Sequence, residues 1–172
     1  QYKHQWHLID AIAKLKEQGH ALELHIIGSG DRPALKRMNK AIQEKKSQND
    51  FVFYHGHLNY SETLQWYNKV DLFAFPSSCE TFGISLLEAM SAGLPIACSD
   101  RGPMPQILRD AGVYFNPEQP VSIAASLNLL LQDDSLRETL GNKARSLSLA
   151  YSWERCAEET FSFLNSVYKC NF

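Results

Sequence analysis

Two carboxylates, Glu80 and Glu88, are the side chains whose type and spacing in this 172-residue chain point to chemistry. They sit in the stretch Ser77-Ser78-Cys79-Glu80-Thr81-Phe82-Gly83-Ile84-Ser85-Leu86-Leu87-Glu88-Ala89-Met90, between the apolar runs Leu72–Phe75 and Ile96–Cys98. That order reads as strand, polar loop, short helix, strand, with the helix starting near Phe82 or Gly83 and closed by Gly93 and Pro95. Glu88 falls among Ile84, Leu86, Leu87, Ala89 and Met90, so it is expected to be buried. An ionised carboxylate there costs several kcal/mol unless a hydrogen-bonding partner meets it.

Glu80 precedes the same helix, where the main-chain N–H groups of Thr81 to Ile84 have no intrahelical acceptor. The positive end of the helix dipole coincides with those donors and favours an anion. A phosphate bound there would have Glu80 at its edge and Glu88 about a turn deeper. A ligand with phosphate in the middle and hydroxyls at both ends, such as a nucleotide sugar, carries its groups in that order. The spacing fits equally a Glu80 that caps the helix and a Glu88 paired with a Lys or Arg.

Composition narrows the alternatives. Seventeen basic and nineteen acidic residues leave a net charge of −2, which argues against nonspecific nucleic-acid binding. One domain with a real core is expected from the length. No apolar run is long enough to span a bilayer, and no signal-peptide pattern opens the chain. Cys79, Cys98, Cys156 and Cys170 lack metal-ligand spacing and read as reduced thiols of a cytosolic protein. His4, His7, His20 and His25 read as surface or packing residues and His57 as a residue on the rim of the sheet; no metal site is expected.

The elements that position the carboxylates follow from periodicity. An amphipathic helix runs from about Gln5 to Gln18, closed by Gly19, and a strand over Leu22 to Ile27 ends in Gly28-Ser29-Gly30. A helix follows Pro33 to about Lys46. Phe51 to Tyr54 form a strand ending at His55-Gly56-His57, and Ser61 is expected to cap a short helix with Leu64, Trp66 and Tyr67. Beyond the central stretch come a strand over Pro95 to Ser99, a loop over Asp100 to Pro103, a short helix over 104–109 and a strand over Gly112 to Phe115. Three helices complete the chain, at Val121–Leu131, Ser135–Ala150 and Trp153–Lys169, with Asp134 and Ser152 as expected N-caps of the last two. The aromatic residues of the final helix, Trp153 included, recur at helical spacing and are expected to pack in the core.

Strands alternating with helices imply right-handed crossovers and an open parallel sheet with helices on both faces, the α/β class. Ligands bind such sheets outside the carboxyl ends of the strands. The loops at Gly28–Gly30, Gly56–His57, Ser77–Gly83 and Asp100–Gly102 all fall there. Gly28-Ser29-Gly30 is not a dinucleotide fingerprint, because position 33 is Pro where the third glycine would stand; it reads as a tight turn that lets backbone approach a phosphate or sugar.

Taken together, Leu24-His25-Ile26-Ile27-Gly28-Ser29-Gly30, Phe53-Tyr54-His55-Gly56, Asp71 to Ser77, Glu80-Thr81-Phe82-Gly83-Ile84, Leu87-Glu88-Ala89-Met90 and Gly93-Leu94-Pro95-Ile96 resemble the group 1 (family 4) retaining glycosyltransferases. The resemblance is to their C-terminal, donor-binding domain. It implies half of a GT-B fold, two Rossmann-like domains with the active site between them, and sugar transfer from a nucleotide donor such as a UDP- or GDP-sugar, without a tightly bound metal or other cofactor. By the same resemblance, Glu80 faces the transferred sugar and Lys3 neutralises the departing diphosphate. Backbone at Thr81, Phe82, Gly83 and Ile84 holds sugar and diphosphate, Glu88 accepts the ribose hydroxyls, and Gly56, His57 and Leu58 lie against the base, with Gly28 and Gly30 on the donor rim.

The family's domain opens with a mid-sheet strand bearing a phosphate-binding Arg directly before the position of Gln1. The chain is therefore expected to be a donor-domain fragment, 1–172, without that strand and without the N-terminal domain that binds a glycan or lipid-linked acceptor. The expected setting is bacterial polysaccharide or glycan assembly in the cytoplasm or at the inner membrane face, with the isolated chain inactive. Thr81, Pro103 and Gln106 depart from the family's usual Gly, Gly and Glu. A GT-B-type epimerase and a nucleotide-sugar-binding regulatory module are the competing readings.

Overall fold

The computed structural model describes residues 2–45 and 50–170. Strands and helices alternate through α1 (Gln5–Glu17), β1 (Leu24–Ile27), α2 (Arg32–Lys45), β2 (Val52–Gly56), α3 (Tyr60–Tyr67), β3 (Phe73–Phe75), α4 (Ile84–Ser91), β4 (Ile96–Ser99), α5 (Met104–Leu108) and β5 (Val113–Phe115), followed by α6 (Pro120–Gln132), α7 (Asp134–Ser148) and α8 (Trp153–Cys170). Every pairing is parallel, as crossover connections through helices require. The expected helix end at Lys46 lies outside the described residues.

β4 is the central strand of β3-β4-β5, and all four of its residues are buried, the pattern of a parallel strand covered on both faces. Side-chain alternation separates two apolar clusters across this sheet. Ala74, Ala97, Val113 and Phe115 face a cluster built by α1, α2 and α6 around Ile9, Leu15, Met38, Ile123 and Leu130. Phe73, Phe75, Ile96, Cys98 and Tyr114 face the other, built by α4 and α5 around Leu86, Met90, Met104 and Leu108. Burial raises the pKa of the Cys98 thiol well above the usual range.

A single open sheet was the expectation, but the described strands form two, β1-β2 and β3-β4-β5. Among the described residues no ladder joins β1 to β3; the two sheets share the first apolar cluster, where Leu24 and Ile26 of β1 meet the layer that holds Ala74 of β3.

Local chemistry corrects two of the expected caps. Asn59, not Ser61, caps α3: its side chain accepts from Glu62 N while Glu62 accepts from Asn59 N, a complete capping box. Asp133, not Asp134, caps α7 by accepting from Leu136 N at 2.8 Å, and Asp134 instead pairs with Arg137. Ser152 caps α8 as expected. The core assignment for α8 does not hold: Trp153, Phe161 and Phe163 are 73%, 71% and 67% exposed, and every described side chain from Trp153 to Lys169 is on the surface. Its apolar stripe has helical period, yet no described element buries it.

α4 and α7 touch at two glycines. Gly93, with φ 74°, ends the turn after α4, and a Cβ on Gly141 of α7 would lie 2.3 Å from its carbonyl oxygen. That neighbour is backbone and cannot rotate away. Alanine gains about 1 kcal/mol over glycine as a helix former, and the clash outweighs it. Gly141→Ala is expected to lower the unfolding free energy by a net ~1–2 kcal/mol in urea titration; an unchanged or raised midpoint would mean the helices separate at no cost.

Candidate functional site

The turn Tyr2–His4, just before α1, is stitched to the loop after β3. Ser78 N donates to Tyr2 O at 2.8 Å, Ser78 Oγ lies 3.3 Å from the same carbonyl, and His4 Nε2 meets Ser78 Oγ at 2.8 Å. Beside this stitch the Lys3 ammonium forms an ion pair with Glu80 Oε1. The Glu80 side chain is 15% exposed and that of Lys3 41%, so the pair lies at the protein surface with its acidic member mostly covered. Lys3 Nζ also lies 5.7 Å from the centre of the Phe75 ring. Glu80 is therefore not the helix cap.

The start of α4 is occupied by Gly83 at φ 93°, with no side-chain cap. A Cβ at this position would touch the Phe75 ring at 3.5 Å, and the left-handed φ would strain any L side chain. The glycine turns the chain so that the first N–H groups of α4 emerge uncapped beside exposed Ile84. Thr81 has no positive φ, so the Thr found where a Gly is common is unstrained. Gly102, with φ 60°, brings the Asp100–Gly102 loop against the other side: a Cβ there would lie 4.0 Å from Glu80 N.

Glu88, half-buried in α4, accepts a hydrogen bond from the Tyr67 hydroxyl at 3.0 Å. No basic side chain pairs with it among the described residues. The buried phenol of Tyr67 also reaches Ser85 O, and its pKa is raised first by burial and then by the Glu88 charge and hydrogen bond. Tyr67 thus supplies the partner that a covered carboxylate needs. Sequence reading placed it on the right helix without a role, because nothing in the spacing of α3 says which of its residues reaches α4.

The glycine loops of β1 and β2 meet each other. Gly28 N donates to Gly56 O at 2.8 Å, the Tyr54 hydroxyl donates to Gly28 O at 3.0 Å, and both glycines have positive φ. A recess of about 30 Å³ is lined by Gly28, Ser29, Gly30, Tyr54 and, from the start of α1, Gln5. Residues 2–5 therefore border both halves of the rim: Lys3 and His4 bond to the Ser78–Glu80 loop, and Gln5 lines the recess together with the Gly28–Gly30 loop. His57 is exposed and Leu58 half-buried on the neighbouring loop. Among the described residues no hydrogen bond or ion pair joins His57 to either glutamate. His55 instead pairs with His25, its Nε2 lying 3.0 Å from His25 Nδ1, and burial followed by the His25 charge lowers the His55 pKa. No cluster of three or more His, Cys, Asp or Glu suited to a metal occurs among the described residues.

The Tyr67–Glu88 bond is a charge-assisted contact at a half-buried position. Tyr67→Phe is expected to lower the unfolding free energy by ~1–2 kcal/mol, and a double-mutant cycle with Glu88→Ala should return a coupling of about 1 kcal/mol. Additive single effects would assign the loss to packing alone.

Comparison with known proteins gives these residues a family. The family described as "Glycosyl transferases group 1" matches residues 1–147. An uncharacterised glycosyltransferase of Methanocaldococcus jannaschii is 34% identical over 167 residues, which cover 95% of this chain and 40% of that protein. O-antigen chain mannosyltransferase B of Escherichia coli is 32% identical over 121 residues, 70% of this chain and 32% of that one. The chain thus spans two-fifths of the length of the first of these relatives and just under a third of the second. Sucrose-phosphate synthase from Thermosynechococcus elongatus superposes with a TM-score of 0.84 at 22% identity, over 98% of this chain and 43% of the other. Anabaena HepE in complex with UDP and glucose does so with a TM-score of 0.84 at 20% identity, over 96% and 45%. By this family match and by its layered parallel sheets, the chain belongs to the group 1 glycosyltransferases of the GT-B fold.

Proposed function

We propose that this chain is the donor-binding half of a retaining, metal-independent glycosyltransferase that uses a nucleotide sugar. The observation that carries this reading is the Lys3–Glu80 ion pair beside the uncapped, glycine-started α4, with Glu88 held by Tyr67 on the same helix. A diphosphate docks at the backbone of Thr81 to Ile84, where free N–H donors and the helix dipole act together. The ribose hydroxyls reach Glu88, whose carboxylate has acceptor capacity beyond the bond from Tyr67. The base lies toward Gly56, His57 and Leu58, and the recess at Gly28 and Gly30 borders it.

In the transfer step the bond from the sugar's anomeric carbon to the diphosphate oxygen breaks and a bond to the acceptor oxygen forms. The acceptor's proton leaves with the diphosphate. Negative charge therefore grows on the departing phosphate, where the Lys3 ammonium stabilises it after exchanging Glu80 for the phosphate oxygens. Glu80, released from the pair, faces the sugar. UDP in the related HepE structure supports a nucleotide-sugar donor, and the E. coli mannosyltransferase supports a role in polysaccharide or glycan assembly.

The break between β1 and β3 supports a further part of the reading: an additional strand, carrying a phosphate-binding Arg, completes the sheet, and a second domain supplies the acceptor site. In that arrangement the chain by itself binds donor weakly and transfers nothing.

Thermal unfolding of the chain with UDP, GDP and ADP tests the reading, since a ligand at a hundredfold excess over its Kd stabilises the folded state by about 2.7 kcal/mol. One of the three is expected to raise the melting temperature, with the rise reduced in Glu88→Gln. No shift with any of them, or the same shift in Glu88→Gln, would refute the donor site as drawn. In the intact enzyme, Lys3→Ala is expected to slow transfer by about 10²–10³-fold and Glu80→Ala to abolish it. A binding-only module would have no transfer to lose, and appreciable turnover by the chain alone would contradict the two-domain reading.

A further inference from the structure

Lysine is a poor choice for a fixed charge unless its backbone is held, because the ammonium sits on a flexible four-carbon stem. Lys3 lies in a turn outside any helix or strand, yet its ammonium is set against a carboxylate from a loop 77 residues further along the chain. The residue after it explains how. His4 adopts φ 48° and ψ 27°, a left-handed conformation unusual for a bulky side chain, and it begins α1 without a side-chain cap. Such outliers persist where surrounding structure fixes them, and they cluster at functional sites.

The His4 ring is buried, at 7% exposure, stacked on His7 at 5.3 Å and tilted against Trp6 at 5.6 Å. Its hydrogen bond is directional. Ser78 Oγ lies within reach of both Tyr2 O and His4 Nε2, and a hydroxyl that donates to Tyr2 O leaves Oγ to accept from His4 Nε2–H. Nδ1 is buried and has no partner among the described residues, which favours this tautomer because a bare lone pair costs less there than an unpaired N–H. The ring is thus a neutral donor locked onto the loop that leads to Glu80.

We propose that His4 is a positioning residue for Lys3: its left-handed backbone aims the lysine and its ring fixes the turn to Ser78, so that the ammonium is held at the edge of the phosphate position. The role rests on the donor-site reading only for what the ammonium meets; the positioning itself concerns the Lys3–Glu80 contact. His7 of α1, Arg37 of α2 and Glu118, just before α6, are the charged or titratable groups facing the ring. Burial lowers the pKa of His4, with His7 and Arg37 adding to the shift and Glu118 opposing it. A depressed folded-state value means the unfolded chain takes up the proton first. The stabilisation from neutral His4 is therefore present above the ordinary value of 6.5 and is lost as the pH falls below it.

The test is the acylation rate of the Lys3 amine in the full chain by an N-hydroxysuccinimide ester, read by peptide mass spectrometry against exposed Lys14. His4→Gly keeps the left-handed turn without strain but removes the ring, and Ser78→Ala removes the acceptor. Both are expected to speed Lys3 acylation several-fold relative to Lys14, with His4→Gly melting within a few degrees of the parent. His4→Asn, which tolerates the left-handed turn and can donate to Ser78, is expected to restore the parent rate. Unchanged Lys3 rates in both His4→Gly and Ser78→Ala would overturn the proposal whatever their melting temperatures. So would ¹⁵N spectra showing a protonated Nδ1 on His4 at pH 6.5. If nucleotides fail to shift the parent's melting temperature while the Lys3 rates change as stated, the donor reading fails and the positioning stands.

Discussion

The site depends on a short stitch between two distant parts of the chain. Tyr2 O accepts from Ser78 N, the His4 ring donates to Ser78 Oγ, and Lys3 pairs with Glu80 alongside. Without those contacts the turn before α1 would rest only on the packing of His4 against Trp6 and His7, and a basic group would sit at a less fixed distance from an acidic one. With them, the amino end of α1, packed by seven buried residues, becomes a wall of the rim. The entropy of ordering a loop and a turn is offset because each orders the other.

The rest of the architecture serves that placement. Strand β4, covered on both faces, carries β3 on one side and β5 on the other, and the carboxyl ends of β3 and β4 lead into the loops that hold Glu80 and Gly102. Gly83 then turns the chain into α4, so Glu80 and Glu88 lie on either side of an uncapped helix start. The two glycine loops after β1 and β2 bond to one another rather than to the glutamates, and the start of α1 borders both halves of the rim.

Much of this was legible in the sequence. The alternation of strands and helices, the glycine at the start of α4 and the closure at Gly93 follow from periodicity and backbone chemistry, and the motifs around Glu80 and Glu88 carried the family. What escaped sequence reading were choices between neighbours and contacts between distant residues. Asn59 and Ser61 are both good caps, as are Asp133 and Asp134, and only the geometry of each turn selects one. Tyr67 reaches Glu88 across 21 positions and His4 reaches Ser78 across 74, distances at which spacing carries no information. The stripe on α8 has the right period for burial, but period reports a helix and its apolar face, not whether anything covers that face.

The near contact between Gly93 and Gly141 bears on how the start of α4 can move. With α7 resting on the turn that ends α4, the far end of that helix is clamped at van der Waals range. Close packing at that end resists a pivot of α4 about its own tail, so a displacement at its first turn is easier if the helix bends or α7 moves with it. Under the proposed donor reading, adjustment to a phosphate falls to the loop from Ser77 to Gly83 and the lysine opposite it, with the carboxylate at 88 the more firmly anchored partner.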